Sequence, residues 1–174
     1  MLIRVYSSLH LSLALGLLCA VTSAEGPHAT VEWDGEFARN LSAYDLFSNS
    51  RNPVPKAGLV PFDINAPLFS DYAQKDRFIF LPEGGTMTYR EDGPFELPVG
   101  AALVKSFSYP ADFRDASKGR RLIETRLLIH TPDGWQGAAY VWNEDYSDAR
   151  LKVAGATVPV NWIDAQGVPR RTDY

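Results

Sequence analysis

Short runs of branched and aromatic residues, separated by turn signals, occupy most of this chain after residue 77. Such runs favour β-strands, and glycine next to aspartate or proline favours the turns between them. Two of these turns are Glu83-Gly84-Gly85 and Asp133-Gly134. Short strands at this spacing are typical of antiparallel sheets that pack face to face. The sequence therefore predicts a mainly β protein, an antiparallel β-sandwich or jelly-roll-like domain, with strands over 77–81, 101–109, 121–130, 138–143, 150–153 and 157–163.

One short N-terminal helix is predicted before the strands, over residues 34–47. Asp34 is suited to cap it. Polar residues and two prolines come next, which predicts an exposed loop over residues 48–60. We expect residues 25–174 to form a single β-rich domain. The apolar residues of the predicted helix recur at spacings of three or four, as an amphipathic helix requires: Phe37, Leu41, Tyr44 and Phe47.

Residues 1–24 have the pattern of a secretory signal peptide. One cation, Arg4, precedes an apolar run of about 13 residues, and small residues end the segment at Ala24. The run is shorter than the roughly 20 residues that cross a bilayer as a helix, so we expect no permanent membrane anchor. Cys19 raises the alternative of lipid attachment, but Leu18 stands where such signals favour a small residue. The pattern predicts a periplasmic or secreted protein.

Composition and charge argue against several functional classes. The net charge of −4 gives no basic surface of the kind that drives nucleic-acid binding, so no nucleic-acid partner is expected. After cleavage at Ala24 the chain would hold two histidines, His28 and His130, and no cysteine, which is too few ligands for a transition-metal centre. The sequence also lacks a nucleophile elbow and a phosphate-binding loop. We therefore predict that the chain is not an enzyme by itself.

Glu124 and Arg126 stand two residues apart on one predicted strand, so their side chains point to the same face. A charge near a core is usually paired, which predicts a structural ion pair that supports the fold. The alternative is that Glu124, or Asp71, serves as a general acid or base.

A ligand-binding β-sandwich module is the second interpretation of the chain. Trp142 is suited to stack on a saccharide ring, with Asn143 beside it, although Tyr140 shares its strand face and such aromatic pairs are usually buried. The loop after this strand offers four oxygen ligands without the spacing of an EF-hand, which makes it a weak calcium candidate. These residues are Asn143, Glu144, Asp145 and Asp148.

Several ordered blocks of sequence resemble a known family. The longest covers residues 61–78 and reads PFDINAPLFSDYAQKDRF. FELPVG at 95–100, ETRLL at 124–128, and WQG and YVWN within 135–149 follow in order. Together they resemble the N-terminal β-rich domain of secreted bacterial diheme c-type cytochrome family proteins. The resemblance extends over about residues 41–174.

This resemblance implies a place in electron transfer by c-type cytochromes. In that family haem c is attached at Cys-x-x-Cys-His after the β-rich domain, and this chain has a single cysteine. Haem c is therefore implied only for a downstream or partner segment, and no cofactor is expected in this chain. Two alternatives stay open: a longer protein that continues into haem segments, or a separate chain that carries them.

The residues and the resemblance together predict an accessory or docking domain with a c-type cytochrome module or chain as its partner. The candidate recognition residues are Asp71, Tyr72, Lys75, Arg77, Arg170 and Arg171. The first four form a compact polar set, for which the alternative is a capped turn with its two cations in solvent. The two adjacent arginines are suited to haem propionates or to an acidic rim on the partner, through contacts that weaken as salt rises.

We predict that the secreted protein begins at Glu25, because the small residues before it match the preference of signal peptidase. Intact-mass measurement of the exported chain checks this start. A mass that retains Met1, or one that carries a diacylglyceryl group on Cys19, would contradict the prediction.

Overall fold

The computed structural model describes residues 28–49 and 53–174, and at its centre lies a six-stranded antiparallel sheet of order β3-β4-β5-β6-β7-β8. Two further strand pairs, β1 with β2 and β9 with β10, are also antiparallel. The prediction of a mainly β, antiparallel domain is confirmed. The strands are β1 Phe47–Asn49, β2 Val54–Pro55, β3 Leu59–Pro61, β4 Gln74–Phe80, β5 Ala102–Pro110, β6 Arg120–Thr131, β7 Gly134–Trp142, β8 Ala149–Leu151, β9 Pro159–Ile163 and β10 Pro169–Asp173.

A tight turn joins two of the long central strands. Pro132 and Asp133 link β6 to β7, and Gly134 follows with a positive φ of 104°, a conformation that side chains disfavour. The Thr131 hydroxyl donates to the Gly134 carbonyl (2.8 Å) and accepts from the Asp133 amide (3.2 Å). Local turn chemistry therefore sets the register of β6 against β7, and with it the face to which each side chain points.

The two faces of the central sheet carry separate apolar clusters. The main core lies under the N-terminal segment, and its largest members include Leu41, Tyr44, Leu46, Phe78, Leu127, Ile129, Tyr140 and Trp142. The smaller cluster lies on the opposite face under β9, and its buried members are Tyr109, Ile123, Val160 and Trp162. The N-terminal segment and the β9–β10 pair thus form the outer layers, and the second of them covers only part of its face.

Only one turn of the helix predicted over residues 34–47 exists. It is the 3-10 helix Leu41–Tyr44, which ends at Asp45 with a positive φ of 48°. The chain before it lies along the edge of β8, where the Leu151 amide donates to the Arg39 carbonyl (2.9 Å). The backbone is therefore paired with the sheet rather than coiled. The helix-like spacing of the apolar residues reflects burial against the sheet.

One more prediction needs correction, and one strand is not predicted. Residues 48–60, predicted as an exposed loop, include β2 and the start of β3, and Leu59 is buried. The sequence does not predict β10, because Pro169 and three charged residues give that strand no apolar alternation. The predicted signal peptide, residues 1–24, lies outside the described residues. Within the described part of the chain, no helix is long and apolar enough to cross a bilayer.

A buried carboxylate organises the segment after β5, and the backbone of this segment pairs with β9. Asp112, which follows β5, accepts from Nε (3.0 Å) and Nη2 (2.9 Å) of Arg114 and from Nζ of Lys118 (2.7 Å). Beside it, the Phe113 amide donates to the carbonyl of Ile163 in β9 (2.9 Å). The hydrogen bonds from the two cations hold the pKa of Asp112 well below its ordinary value of 3.8. The charged carboxylate therefore stabilises the folded state.

We expect Asp112→Asn to lower the melting temperature strongly near neutral pH and less in strong acid. A carboxyl whose pKa is depressed by folding stabilises the protein fully above its unfolded-state pKa, and this contribution shrinks below that pH and vanishes only below the folded-state pKa. Thermal unfolding of both proteins at about pH 7 and about pH 2 checks the prediction.

Asp92→Asn is the matched control, because Asp92 is exposed in a turn, and its melting temperature should equal that of the wild type. An equal loss of stability by the Asp112 variant at both pH values would contradict a role for the charge.

Candidate recognition surface

The loop between β3 and β4, residues 62–73, holds three large apolar side chains that are each more than half exposed. Leu68 is 80% exposed, Phe69 67% and Tyr72 59%. The Phe69 and Tyr72 rings meet edge to face with their centroids 5.1 Å apart. Exposed apolar groups that are contiguous are uncommon on monomers and mark surfaces for partners. This loop lies within the longest block of the family resemblance.

Hydrogen bonds to the loop backbone hold these side chains outward. Asp71 and Tyr72 both have positive φ, 44° and 69°, a conformation that residues other than glycine adopt only when their surroundings impose it. The Tyr109 hydroxyl donates to the Asp71 carbonyl (2.7 Å), and the Lys75 ammonium donates to the Leu68 carbonyl. The loop is therefore a preorganised surface, which lowers the entropy cost of binding.

The two cations of the predicted polar set do not lie freely in solvent. Arg77 is only 9% exposed, and its Nη1 donates to Asp63 Oδ1 (3.0 Å) and to the Lys75 carbonyl (3.4 Å). Lys75 is half-buried against the loop. The alternative of a capped turn with both cations in solvent is therefore wrong for Arg77. β4 is an interior strand, so the Arg77 side chain lies over the face of the sheet and is buried there.

Trp162 connects the loop to β10. The Tyr72 ring lies 6.0 Å from the Trp162 ring, and Arg170 is the cross-strand partner of Trp162. Arg170 Nε donates to Asp164 Oδ2 (2.8 Å). The backbone amide of Val168, and then Arg170, hold the pKa of Asp164 below its ordinary value. The structure thus brings Tyr72 and Arg170 to two sides of one tryptophan, while the next residue, Arg171, is exposed on the ribbon.

Trp142 and Asn143 belong to a different part of the molecule. Trp142 lies in the main core on the opposite face of the sheet, where its Nε1 donates to Thr125 Oγ1 (3.0 Å). Its ring is buried with that of Tyr140, as the shared strand face predicts, so it presents no face to a saccharide. Asn143 follows at the strand end, with its Nδ2 3.4 Å from Ser147 Oγ.

The acidic loop after β7 uses its carboxylates internally. Asp145 accepts from the amide and hydroxyl of Ser147 (3.0 and 2.8 Å). Asp148 accepts from the amide and hydroxyl of Ser42 (3.0 and 2.7 Å), which ties this loop to the 3-10 helix, and Glu144 is exposed. Among the residues described, no group of three histidine, cysteine, aspartate or glutamate side chains converges as a metal site.

Glu124 and Arg126 form the predicted ion pair, and a tyrosine completes it. Arg126 Nε donates to Glu124 Oε1 (2.5 Å), and the Tyr174 hydroxyl donates to the same oxygen (2.9 Å). Glu124 is buried, whereas Arg126 is exposed along its outer edge. Burial and the neighbouring carboxylate raise the pKa of Tyr174. The predicted ion pair is present, and its geometry ties Tyr174 to the middle of the sheet.

A second surface is not predicted from the sequence. A groove of about 820 Å³ lies on the sheet face that the β9–β10 pair leaves uncovered. Leu103 and Leu128 form part of its lining, and Lys105 stands between Arg77 and Arg126 across the strands. The sequence places Leu103 and Lys105 on one strand face, and this is the local pattern that points to the groove. The row of cations appears only when the register of three strands is known.

A scan against protein-family models found no match, and searches of curated proteins and of solved structures also returned no similar protein. The functional conclusions below therefore depend on the geometry of this chain and on the sequence resemblance described above.

We expect Glu124→Gln to lower the free energy of unfolding by about 1–3 kcal/mol, because the amide weakens the charged hydrogen bond from Arg126 and leaves that guanidinium unbalanced beside other cations. Urea denaturation measures the change. Glu144→Gln in the exposed acidic loop is the matched control and should be neutral. A Glu124 variant as stable as the wild type would show that the pair does not support the fold.

Proposed function

We propose that this chain is a secreted or periplasmic accessory domain that docks a c-type cytochrome partner and is not catalytic by itself. The observation that carries the proposal is the preorganised β3–β4 loop, which holds Leu68, Phe69 and Tyr72 outward. Aromatic anchors of this kind dominate the binding energy of protein interfaces. The loop lies within the longest sequence block of the resemblance to the cytochrome family, which supports a partner of that family.

Charges around the loop suit a partner with an acidic rim. Lys75 lies at the base of the loop, and Arg170 and Arg171 lie beyond Trp162 on β10. Haem propionates and the carboxylates around a haem edge are the acidic groups that such cations attract. Electron-transfer interfaces are small and short-lived, so three apolar side chains with a few peripheral cations are an appropriate size.

The C-terminal ribbon is fixed against the central sheet. The Tyr174 ring lies 5.7 Å from Phe107 and 6.3 Å from Tyr109, and its backbone pairs with Val158 beside β9. Arg170 and Arg171 are therefore carried on a ribbon whose position relative to the sheet is set by these contacts.

Haem c in this proposal belongs to the partner. Covalent attachment requires the two cysteines of Cys-x-x-Cys-His, and this chain contains Cys19 alone. Its residues do not fit the group. The domain would act by orienting the haem module and by presenting a surface to it, so that partner contacts rather than bond chemistry define its role.

Titration with a separately expressed diheme module of the resembled family tests the docking. We expect Phe69→Ser to weaken binding at least about tenfold, because the loop loses its central aromatic anchor. Phe95→Ser is the matched control, since Phe95 is similarly exposed and its ring makes the same kind of edge-to-face pair, with Tyr89 (5.9 Å). Calorimetry measures both affinities, and circular dichroism verifies the fold of each variant.

The charge contribution is measured by repeating the titration at about 20 mM and about 300 mM salt. We expect affinity to fall with salt, and to fall less in a variant with Arg170→Ser and Arg171→Ser. Absence of binding at both salt concentrations, with both proteins folded, would overturn the docking function. Binding that is equally weakened by Phe95→Ser would assign it to another surface.

A further inference from the structure

The groove on the uncovered sheet face has a size and lining suited to a small ligand. Its volume of about 820 Å³ falls within the roughly 300–1,000 Å³ typical of ligand sites. Leu103 of β5 and Leu128 of β6 are register partners and share this face with Ala139 of β7. Gly137 stands opposite Leu128, and a Cβ there would come within 3.2 Å of the leucine side chain. The middle of the groove is therefore apolar.

Strand addition does not explain this groove. β4, β5, β6 and β7 are all interior strands of the sheet, so each is already paired on both sides. A peptide strand finds no free backbone edge here, and recognition must use side chains. The groove thus suits a ligand that offers apolar surface rather than hydrogen-bonding backbone.

Three cations stand side by side at one end of the apolar region. Arg77 of β4 is the register partner of Lys105 of β5, and Lys105 is the register partner of Arg126 of β6. Side chains directly opposite each other across antiparallel strands are close neighbours, and like charges in such pairs are destabilising. A fold selected for stability alone would not place three cations in this register.

The three cations of the row carry three positive charges, whereas the carboxylates paired with them carry two negative charges. Arg77 pairs with Asp63 (3.0 Å) and Arg126 with Glu124 (2.5 Å). Lys105 makes no ion pair with a carboxylate in the described part of the chain, and its Nζ lies 4.8 Å from the centre of the Phe107 ring. Burial, and then the neighbouring Arg77, Lys75 and Arg126, lower the pKa of Lys105. Lys152 also lines the groove and adds to this excess of positive charge, so the site favours the arrival of negative charge.

We propose that the groove binds a long-chain fatty acid, with its carboxylate at Lys105 and its acyl chain along Leu103, Leu128 and Ala139. One carboxylate balances the single excess charge of the row, and a flexible acyl chain suits an apolar floor without free backbone groups. This site is separate from the exposed aromatic loop and does not depend on the docking function. The chain would therefore be a lipid-binding domain whether or not it docks a cytochrome.

Sodium laurate, kept below its micelle concentration, is the probe, and calorimetry on the mature chain is the measurement. We expect saturable binding of one laurate, at least about tenfold tighter than that of uncharged dodecanol or of dodecyltrimethylammonium. Equal binding of all three amphiphiles would overturn the charge recognition. Absence of laurate binding to folded protein would overturn the site.

Two variants test the two ends of the ligand. Lys105→Met should weaken laurate binding at least about tenfold and also raise the melting temperature of the free protein, because it removes an unbalanced charge from the row. Ala139→Leu should weaken binding by filling the floor without altering charge. If Lys105 had only a structural role, Lys105→Met would not both weaken laurate binding and raise the melting temperature.

Matched controls remove the same charge or add the same bulk elsewhere. Arg171→Met and Ala165→Leu lie on the exposed ribbon and its turn, and both should bind laurate as the wild type does. If Lys105→Met and Ala139→Leu bind laurate normally, the proposal is wrong. Sedimentation distinguishes a second copy of the chain: a dimer that Ala139→Leu converts to a monomer would assign this face to self-association and overturn the lipid site.

Discussion

A single extra residue in β6 governs how the two faces of the central sheet are covered. Phe107 pairs with Glu124, and Ser108 pairs with Leu122, so Ile123 is left over as a bulge. Leu122 therefore packs into the main core while Ile123 packs into the smaller cluster on the other face. A bulge of this kind re-aims side chains and increases the local twist of the strand. Without it, strict alternation from Glu124 would exchange the faces of these two residues, with Ile123 toward the main core and Leu122 toward the smaller cluster.

The groove begins where the effect of this bulge ends. Ile123 and Glu124 both meet residues of the C-terminal ribbon, the first through the Tyr109 cluster and the second through the Tyr174 hydroxyl. Beyond Glu124 the strand returns to strict alternation, and within residues 28–49 and 53–174 no strand covers the face that carries Arg126 and Leu128. The ribbon therefore covers the bulged half of the sheet, and the regular half stays open. The uncovered face thus follows from backbone register as much as from side-chain chemistry.

Sequence alone predicts those features that are local along the chain. The long strands follow from alternation and turn residues, and the pairing of Glu124 with Arg126 follows from a spacing of two on one strand. The helix over residues 34–47 is wrong because apolar spacing reports burial, and a segment lying along a sheet edge can bury residues at the same intervals as a helix. Asp71 and Tyr72 lie in the loop between β3 and β4 and are exposed, but the orientation of Arg77 depends on its pairing with β5, a strand distant in sequence.

The row of Arg77, Lys105 and Arg126 shows most clearly what cannot be predicted from the sequence alone. Arg77, Lys105 and Arg126 are far apart in sequence, and each one alone has the ordinary appearance of a charged residue on a half-buried strand. Their alignment requires the register of β4 against β5 and of β5 against β6, which long-range pairing determines. Local rules and global fold usually agree in natural proteins, and this row departs from the cross-strand charge rule, so local pattern gives no sign of it.

Arg77 physically joins the two candidate surfaces. Its guanidinium holds Asp63 at the start of the β3–β4 loop, and the same side chain faces Lys105 at the end of the groove. The loop backbone is in turn held by Lys75 and Tyr109, of which Lys75 also contributes to the positive potential around Lys105. Coupling between two sites requires a contiguous set of interactions that both sites bias. One buried arginine, its carboxylate partner and the neighbouring lysine form such a contiguous set between the loop and the groove.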